Sequence, residues 1–498
     1  MAAALRLIEL MNRTETGPDR QTPPRDFEKM RIADIEIRGL TEDSRAVEPG
    51  FLFAALPGSK ADGAAFIAEA ARKGAVAVLA PKGTKPTGSL PIIEDALPRR
   101  RFARMAAAFY GAQPETMAAV TGTSGKSSTV SFARQIWKAL GRSSASLGTL
   151  GIDSDPIQRY SGLTTADPVR LHADLAELAR AGVTHAAMEA SSHGLDQYRL
   201  DGVTVKAAGF TSFGRDHLDY HATADAYFAA KARLFTEVLQ PGGTAVLNAD
   251  IPEFDRLRKL ARGAGHPVIS YGEHGKELRI VERRATAIGQ SVTLELFGQR
   301  CAIAFPLVGA FQLMNALCAL GLMTATGADA ASAADALEKL QGVRGRLERV
   351  ARLANGAAVY VDYAHKPDAL ETVLNALRPH TDGKLVIVFG CGGDRDRGKR
   401  PIMGEIATRL ADRVIVTDDN PRSEEPAAIR AQILAGAPGA VEIGDRAEAI
   451  EAAVKALRPG DVLVVAGKGH EQGQIVGSEA RPFDDAAVVR DSVARLDS

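Results

Sequence analysis

Cysteine is scarce in this chain. Cys301, Cys318 and Cys391 are its 3 cysteines among 498 residues. The number is odd, the spacing is wide and no paired-ligand pattern is present. Neither a disulfide framework nor a zinc site is expected, and a reducing cytosol fits. Surplus charge is lacking too. Lys+Arg and Asp+Glu both number 61, so no global field favours nucleic acid or a membrane surface. No apolar run reaches the ~18 residues of a membrane span. The N-terminus lacks the charged start and apolar core of a signal peptide, so a cytoplasmic protein is expected. No repeat of solenoid period occurs. Thr14 to Arg25 is polar and contains proline, and is expected to be a mobile lead-in.

What is present suits globular domains. The apolar fraction is 45% and the charged fraction 24%, and the length predicts two to four domains. From about Ile35 to Gln113, short apolar runs (Phe51 to Ala55, Ala75 to Leu79) and short helices suggest a small α/β domain. From Glu115 to Arg346, strand candidates at Ala186 to Met188, Ala207 to Thr211 and Thr244 to Leu247 alternate with helices, as in parallel βαβ units. Leu278 to Ala304 alternates like antiparallel strands, and Val308 to Thr326 reads as a helix. From Leu347 onward, Val359 to Val361, Leu385 to Phe389, Val414 to Val416 and Val462 to Val465 alternate with helices. That is a second doubly wound sheet, whose ligands sit beyond the carboxyl ends of the strands.

The densest chemistry follows the run Met117 to Val120. Thr121-Gly122-Thr123-Ser124-Gly125-Lys126-Ser127-Ser128 leads into helical spacing from Thr129 to Leu140. Strand, glycine turn, Lys-Ser and helix form a phosphate cradle, with Lys126 as point charge and Ser127 as a hydroxyl for Mg²⁺. Val120 stands where the common P-loop has glycine, so this is a variant loop. The alternative is a glycine turn that binds nothing. Glu189, just past a strand candidate, suits Mg²⁺, which takes few carboxylates; the alternative is a surface turn. Phe210 to His221 concentrates Asp216, His217, Asp219 and His221, where a second metal ligand or a capped helix with exposed histidines are the two readings. Lys231 in its helix reads, by itself, as a snorkelling surface lysine. In the third region, Gly390 to Arg400, Asp418 to Arg422 and Gly467 to Glu471 follow strands. An arginine fork with Asn, Asp and Glu can hold a zwitterionic amino acid, and ordinary loops are the alternative.

These motifs, in this order, resemble the Mur ligase family over nearly the whole chain, from Asp43-Ser44-Arg45 to Gly467-Lys468-Gly469-His470-Glu471. Asp419-Asn420-Pro421-Arg422 is similar to the motif of members that add meso-diaminopimelate rather than L-lysine. The resemblance implies an α/β fold in three domains. These are a small UDP-binding domain (1–114), a P-loop-like parallel-sheet ATP domain (115–346) and a Rossmann-like amino-acid domain (347–498). It implies an ATP-dependent ligase with Mg²⁺, acting on a UDP-muramoyl dipeptide and meso-diaminopimelate in peptidoglycan synthesis. A monomer is expected.

By position, the resemblance implies UDP-substrate contacts at Ser44, Ser59, Lys60, Ala61, Thr164, Thr165, Ser191, Gln197 and Arg199. It implies ATP contacts at Gly122 to Ser128, Asn315, Arg346 and Asp362, and metal ligands at Ser127, Glu189, His217 and Lys231. Lys231 is implied to carry a carbamate (N6-carboxylysine), which reverses its surface reading. Lys126, Lys231, Glu189 and His217 are the implied catalytic set. Arg395, Asp419, Asn420, Pro421, Arg422, Gly467 and Glu471 are the implied diaminopimelate pocket. Departures from the family pattern are Gln312 where Asn is usual, Ala166 where Pro is frequent, and Ser212-Phe213-Gly214 where Asn-Leu-Ser is usual. Three rivals stand beside this reading. A folylpolyglutamate synthase-like ligase would lack the Asp-Asn-Pro-Arg pocket and the N-terminal domain. An L-lysine-adding homologue is disfavoured by Arg422. An ATP-gated binding protein would not need Lys231.

Overall fold

The computed structural model describes residues 4–14, 34–58, 62–85, 90–160, 162–217 and 219–497. The lead-in expected from Thr14 to Arg25 lies outside them except for Thr14, which is buried and donates to the Leu10 carbonyl. The chain divides into two compact units, Met1–Tyr271 with Cys318–Asp329, and Gly272–Leu317 with Ala330–Ser498.

The first unit begins with a parallel sheet in the order Gly39–Thr41, Phe51–Ala54, Ala77–Pro81, Ile92–Asp95. The helix Pro98–Tyr110 packs Phe102, Met105 and Phe109 onto the core of this sheet. Proline opens that helix, where a missing N–H costs nothing, and Gly111 in the left-handed region ends it. The larger sheet runs Gln158–Arg159, Gly151–Ser154, Ser144–Gly148, His185–Glu189, Thr116–Thr121, Val205–Phe210, Leu239–Asn248, Val268–Gly272. The strands from Ser144–Gly148 through His185–Glu189, Thr116–Thr121 and Val205–Phe210 to Leu239–Asn248 pair in parallel. The three central strands are buried at nearly every position. Strands covered on both faces read as continuous apolar runs, which is why the sequence marks them. Thr116–Thr121 lies between the other two, so the loops following all three strands open on one edge.

In the second unit, Leu278–Thr286, Gly289–Leu296 and Gln299–Phe305 form an antiparallel meander. The other sheet runs Glu348–Arg352, Ala358–Asp362, Val462–Ala466, Leu385–Phe389, Arg413–Val416, Val441–Glu442. All its pairings are parallel except the first. Separate apolar cores cover its two faces, one around Leu374, Ile387 and Met403, the other around Val388, Ile450 and Val489. Each fully buried large apolar side chain of this kind contributes about 1.5–3 kcal/mol. A hairpin, Gly473–Val476 with Glu479–Pro482, follows the last strand of the sheet. Among the described residues no helix is long and apolar enough to cross a membrane.

Candidate active site

In the first unit, the strand Thr116–Thr121 ends in Gly122 at φ +140°, and Gly125 at φ +90° precedes the helix Lys126–Ala139. Only glycine holds such φ values cheaply. A Cβ at Gly122 would also overlap Thr211 Oγ1. The loop is tied to the next strand end. Ser212 C=O accepts from Thr123 N at 2.8 Å, and Ser212 Oγ accepts from Ser124 N at 3.0 Å. Thr211 Oγ1 lies 3.2 Å from the Thr121 carbonyl and 2.5 Å from that of Ser124. Ser127 and Ser128 are buried in the first turn of the helix, whose N-terminal amides and dipole favour an anion.

Two lysines meet on one carbonyl of this loop. Lys126 Nζ donates to Gly122 C=O at 2.9 Å and to Thr123 C=O at 3.0 Å. Lys231 Nζ donates to the same Gly122 oxygen at 2.7 Å and lies 4.5 Å from the centroid of the Tyr227 ring. Lys231 is 1% exposed, so it is no surface residue. Its burial, and then the charge of Lys126, hold its pKa well below the ordinary lysine value, with Asp216 opposing. Both effects favour the neutral amine over the ammonium at this position. Tyr227, on the same helix, has its hydroxyl 3.2 Å from Thr123 Oγ1, and burial pushes its pKa up to about 12.

Glu189 ends the neighbouring strand and is 2% exposed. Its carboxylate accepts from Thr149 N at 2.9 Å and from Thr149 Oγ1 at 3.2 Å. A Cβ at Gly148 would overlap Glu189 Oε1, so glycine there makes room for it. Thr149 Oγ1 is in turn 2.9 Å from Thr164 Oγ1. Among the described residues no cationic side chain pairs with Glu189. A buried carboxylate without a cation is costly, and this one fits a bound cation. His217 sits at φ +51°, with its ring edge-on to that of His193, centroids 4.8 Å apart. Among the described residues no group of three His, Cys, Asp or Glu side chains is gathered as a metal site. Ser127 and Glu189 each offer oxygen donors of the kind that Mg²⁺ takes beside water and phosphate.

The remaining candidates of this unit fall into two groups. Thr165 Oγ1 donates to Glu189 C=O at 3.0 Å and accepts from Ser191 N at 3.0 Å. Ser191 caps the short helix Ser192–Asp196 through Gly194 N. Arg199 donates to Thr165 C=O at 2.7 Å and to Gln197 Oε1 at 2.7 Å, and Gln197 reaches the Tyr220 hydroxyl. Thr165, Ser191, Arg199 and Gln197 thus form one chain of hydrogen bonds beside Glu189, and Thr164 reaches the Glu189 carboxylate through Thr149. Ser44 is apart from it, buried at the start of a short turn capped by Asp43. Ser59, Lys60 and Ala61 lie outside the described residues.

In the second unit, Asn315 donates to Gln312 Oε1 at 3.4 Å, and Gln312 donates to the Arg346 carbonyl at 2.8 Å. Asp362 accepts from Leu347 N at 2.6 Å and Ala364 N at 2.7 Å. Burial nevertheless raises its pKa to about 6, against the pull of Arg346. The amino-acid candidates converge from three strand ends. Asn420 donates to Glu471 Oε2 at 2.9 Å, and Arg422 donates to Gly393 C=O at 2.8 Å. Asp419 Oδ2 lies 2.8 Å from where a Cβ on Gly467 would stand, and a Cβ on Gly393 would overlap the Pro421 carbonyl. Arg395 is exposed and donates to the Asp394 carbonyl.

Comparison with known proteins gives three family-model matches. They are "Mur ligase family, catalytic domain" at residues 36–110, "Mur ligase middle domain" at 120–323 and "Mur ligase, glutamate ligase domain" at 345–469. A UDP-N-acetylmuramoyl-L-alanyl-D-glutamate--2,6-diaminopimelate ligase of Rhizobium meliloti (strain 1021) is 56% identical over 464 residues, covering 93% of this chain and 96% of its own. The chain belongs to the Mur ligase family. The Caulobacter vibrioides ligase of the same name is 53% identical over 478 residues, covering 95% and 98%. A solved ligase of that name is 33% identical, with TM-score 0.73 and full coverage of both chains. A MurF ligase from Thermotoga maritima, solved in complex with ADP, shares the fold at 20% identity and TM-score 0.60, covering 92% and 96%.

Against the Mur ligase pattern, the departures find places here. Ser212 holds the glycine loop through three hydrogen bonds at Thr123 and Ser124. Gln312 is 1% exposed and is spent on the Arg346 carbonyl. Ala166 packs against the sheet core. Thr149, Thr211, Tyr227 and Lys468 touch the site residues and escaped sequence reasoning. Thr211, Tyr227 and Lys468 stand inside segments that the sequence already marked, but neither spacing nor charge separates them from their neighbours.

Proposed function

We propose that the chain is an ATP-dependent ligase that joins meso-2,6-diaminopimelate to UDP-N-acetylmuramoyl-L-alanyl-D-glutamate in the cytoplasm. It acts as a monomer in peptidoglycan precursor synthesis. The observation that carries this reading is the convergence of Arg395, Asp419, Asn420, Arg422, Gly467 and Glu471 on strand-end loops of one sheet. Guanidinium and amide donors beside carboxylate acceptors match both ends of a zwitterion. The identity with the named ligases over nearly the full length supports the substrate. The division into domains near 114 and 346 is supported by the three family-model matches, of which the first two lie on either side of 114 and the third begins at 345.

In this reading Gly122 to Ser128 cradle the ATP phosphates, with Lys126 as their counter-charge. Asn315, Arg346 and Asp362 are further nucleotide residues that the family likeness implies. Ser44, Ser59, Lys60 and Ala61 face the UDP group, while Thr164, Thr165, Ser191, Gln197 and Arg199 face the dipeptide. The neutral amine of Lys231 adds to CO₂, forming an N–C bond and releasing a proton, which leaves an anionic carbamate. Ser127, Glu189, His217 and that carbamate are the groups that would hold Mg²⁺, which when bound neutralises phosphate charge. The D-glutamyl carboxylate attacks the γ-phosphorus, and ADP leaves. The diaminopimelate amine then attacks the acyl phosphate, and inorganic phosphate departs. The chain supplies position and charge rather than a nucleophile. Arg422 and Asn420 hold the distal end of the amino acid.

The test is ADP release with the UDP-muramoyl dipeptide, comparing meso-diaminopimelate and L-lysine. Turnover should need diaminopimelate. Equal or greater turnover with lysine would overturn the assignment.

A further inference from the structure

Lys468 is a buried cation among the amino-acid loops, with no role yet given to it. It is fully buried, yet its ammonium sits between two pocket residues. Nζ donates to Asn420 Oδ1 at 3.0 Å and to Glu471 Oε2 at 3.3 Å. Asn420 Oδ1 also accepts from Ile475 N at 2.9 Å. The same Glu471 Oε2 accepts from Asn420 Nδ2 at 2.9 Å.

We propose that Lys468 is a positioning residue that sets the polarity of the amino-acid pocket, an inference that rests on the ligase reading above. Neither an ammonium nor a backbone N–H can accept a hydrogen bond. Two such donors on one side of the Asn420 amide fix the oxygen there and forbid the flipped amide. The NH₂ group is thereby turned toward Glu471, and its second proton remains for a substrate carboxylate. Glu471 receives two donors on Oε2. Among the described residues none reaches Oε1, and the side chain is 33% exposed. That oxygen is left to accept from a substrate ammonium. The cation also tempers the negative field of Asp419 and Glu471. Without it, less positive charge balances those two carboxylates where the substrate carboxylate must sit. Discrimination of diaminopimelate from lysine at this pocket therefore depends on a residue that does not touch the substrate.

Two variants test this. Lys468→Met keeps most of the side-chain volume and removes the charge. Asn420→Asp keeps both donors on one oxygen and keeps a partner for Lys468, but turns the second atom from donor to acceptor opposite Glu471. Each variant should raise KM for meso-diaminopimelate by about tenfold or more, the worth of one charged hydrogen bond, while KM for ATP and for the UDP dipeptide stays within about twofold. The double variant should lose less than the product of the two, because they act through one network. If the wild-type enzyme releases no ADP with diaminopimelate, the ligase reading itself fails. If wild type is active and both variants keep its KM for diaminopimelate, the proposal is overturned. A parallel rise of all three KM values would also overturn it, since that marks general loss of structure. If Lys468→Met shows no thermal transition, Lys468→Gln, which removes the charge but keeps a polar side chain, decides alone. A raised diaminopimelate KM upholds the proposal and a wild-type KM overturns it.

Discussion

Gly122→Ala is the sharpest test of the phosphate loop as built here. Gly122 has φ +140°, and its Cβ would fall on Thr211 Oγ1. Two costs follow. A side chain in that backbone region costs about 1–3 kcal/mol. Displacing Thr211 Oγ1 removes its hydrogen bonding to Thr121 and Ser124, worth about 1 kcal/mol net. The sum is about 2–4 kcal/mol, and the loop escapes it more cheaply by shifting than the domain does by unfolding. A shift moves the Gly122 carbonyl, on which Lys126 and Lys231 both rest. The loss should therefore appear in kcat/KM for ATP, as a decrease of about thirtyfold to several hundredfold. Tm should fall only slightly. Steady-state ADP release and a thermal melt read the two effects separately. Thr211→Ala in the Gly122→Ala background removes the clash but not the backbone strain, so it should recover part of the loss. Wild-type kinetics in Gly122→Ala would refute the packing of Gly122 against Thr211. No recovery in the double variant would assign the loss to backbone strain alone.

Lys231→Ala should abolish turnover, with partial rescue by short carboxylates that replace the carbamate; full activity in that variant would remove the role. Asp362 should make stability pH-dependent. Its pKa is about 6 in the folded state against 3.8 when exposed, so the folded state binds the proton more tightly. Its contribution is present below pH 3.8 and is lost as pH rises through 6. Urea unfolding at pH 5 and pH 7 should show wild type losing stability relative to Asp362→Asn, by at most about 1.4 kcal/mol per pH unit. Equal slopes would refute the buried titration. Arg446 and Asp485 are both fully buried and joined at 2.7 and 2.8 Å, and Arg446 also donates to the Ala466 carbonyl at 3.0 Å. Arg446→Met alone should destabilise the second unit by about 3–5 kcal/mol, because it strands a buried carboxylate, while Arg446→Met with Asp485→Leu should recover most of that. A chemical melt of each variant reads the difference.

Much of this fold was legible because its strands lie in parallel sheets covered on both faces. Leu385–Phe389 and Val462–Ala466 are buried at every position, so each appears in the sequence as an unbroken apolar run. The hairpin Gly473–Val476 with Glu479–Pro482 was not legible. Its residues are half-buried or exposed, so no alternation of apolar and polar side chains marks it. It still matters to the pocket, since Ile475 N fixes Asn420 and Ile475 C=O accepts from Arg422 N. These are backbone contacts, and any side chain at 475 would make them.

The site divides along the same line. Gly122, Gly125 and Lys126 were legible because close approach to a phosphate demands glycine and a nearby charge, and few other residues meet that demand. Lys231 shows the limit. Its apolar neighbours on the helix Ala224–Arg233 fit a surface lysine and a buried one equally well. Only the tertiary fold, which sets Nζ on the Gly122 carbonyl beside Lys126, separates the two. A buried lysine beside a second cation has a reason to be neutral, and a neutral amine is the form that reacts with CO₂. The physical case for the carbamate thus comes from two side chains far apart in sequence that share one carbonyl oxygen. Gln312 follows the same logic. Its longer side chain spans to the Arg346 carbonyl and leaves Asn315 as the shorter amide at that turn of the helix Ala310–Ala325. Gln312→Asn would shorten that reach, free the Arg346 carbonyl and change KM for ATP if Arg346 faces the nucleotide; an unchanged KM would detach this pair from the nucleotide site.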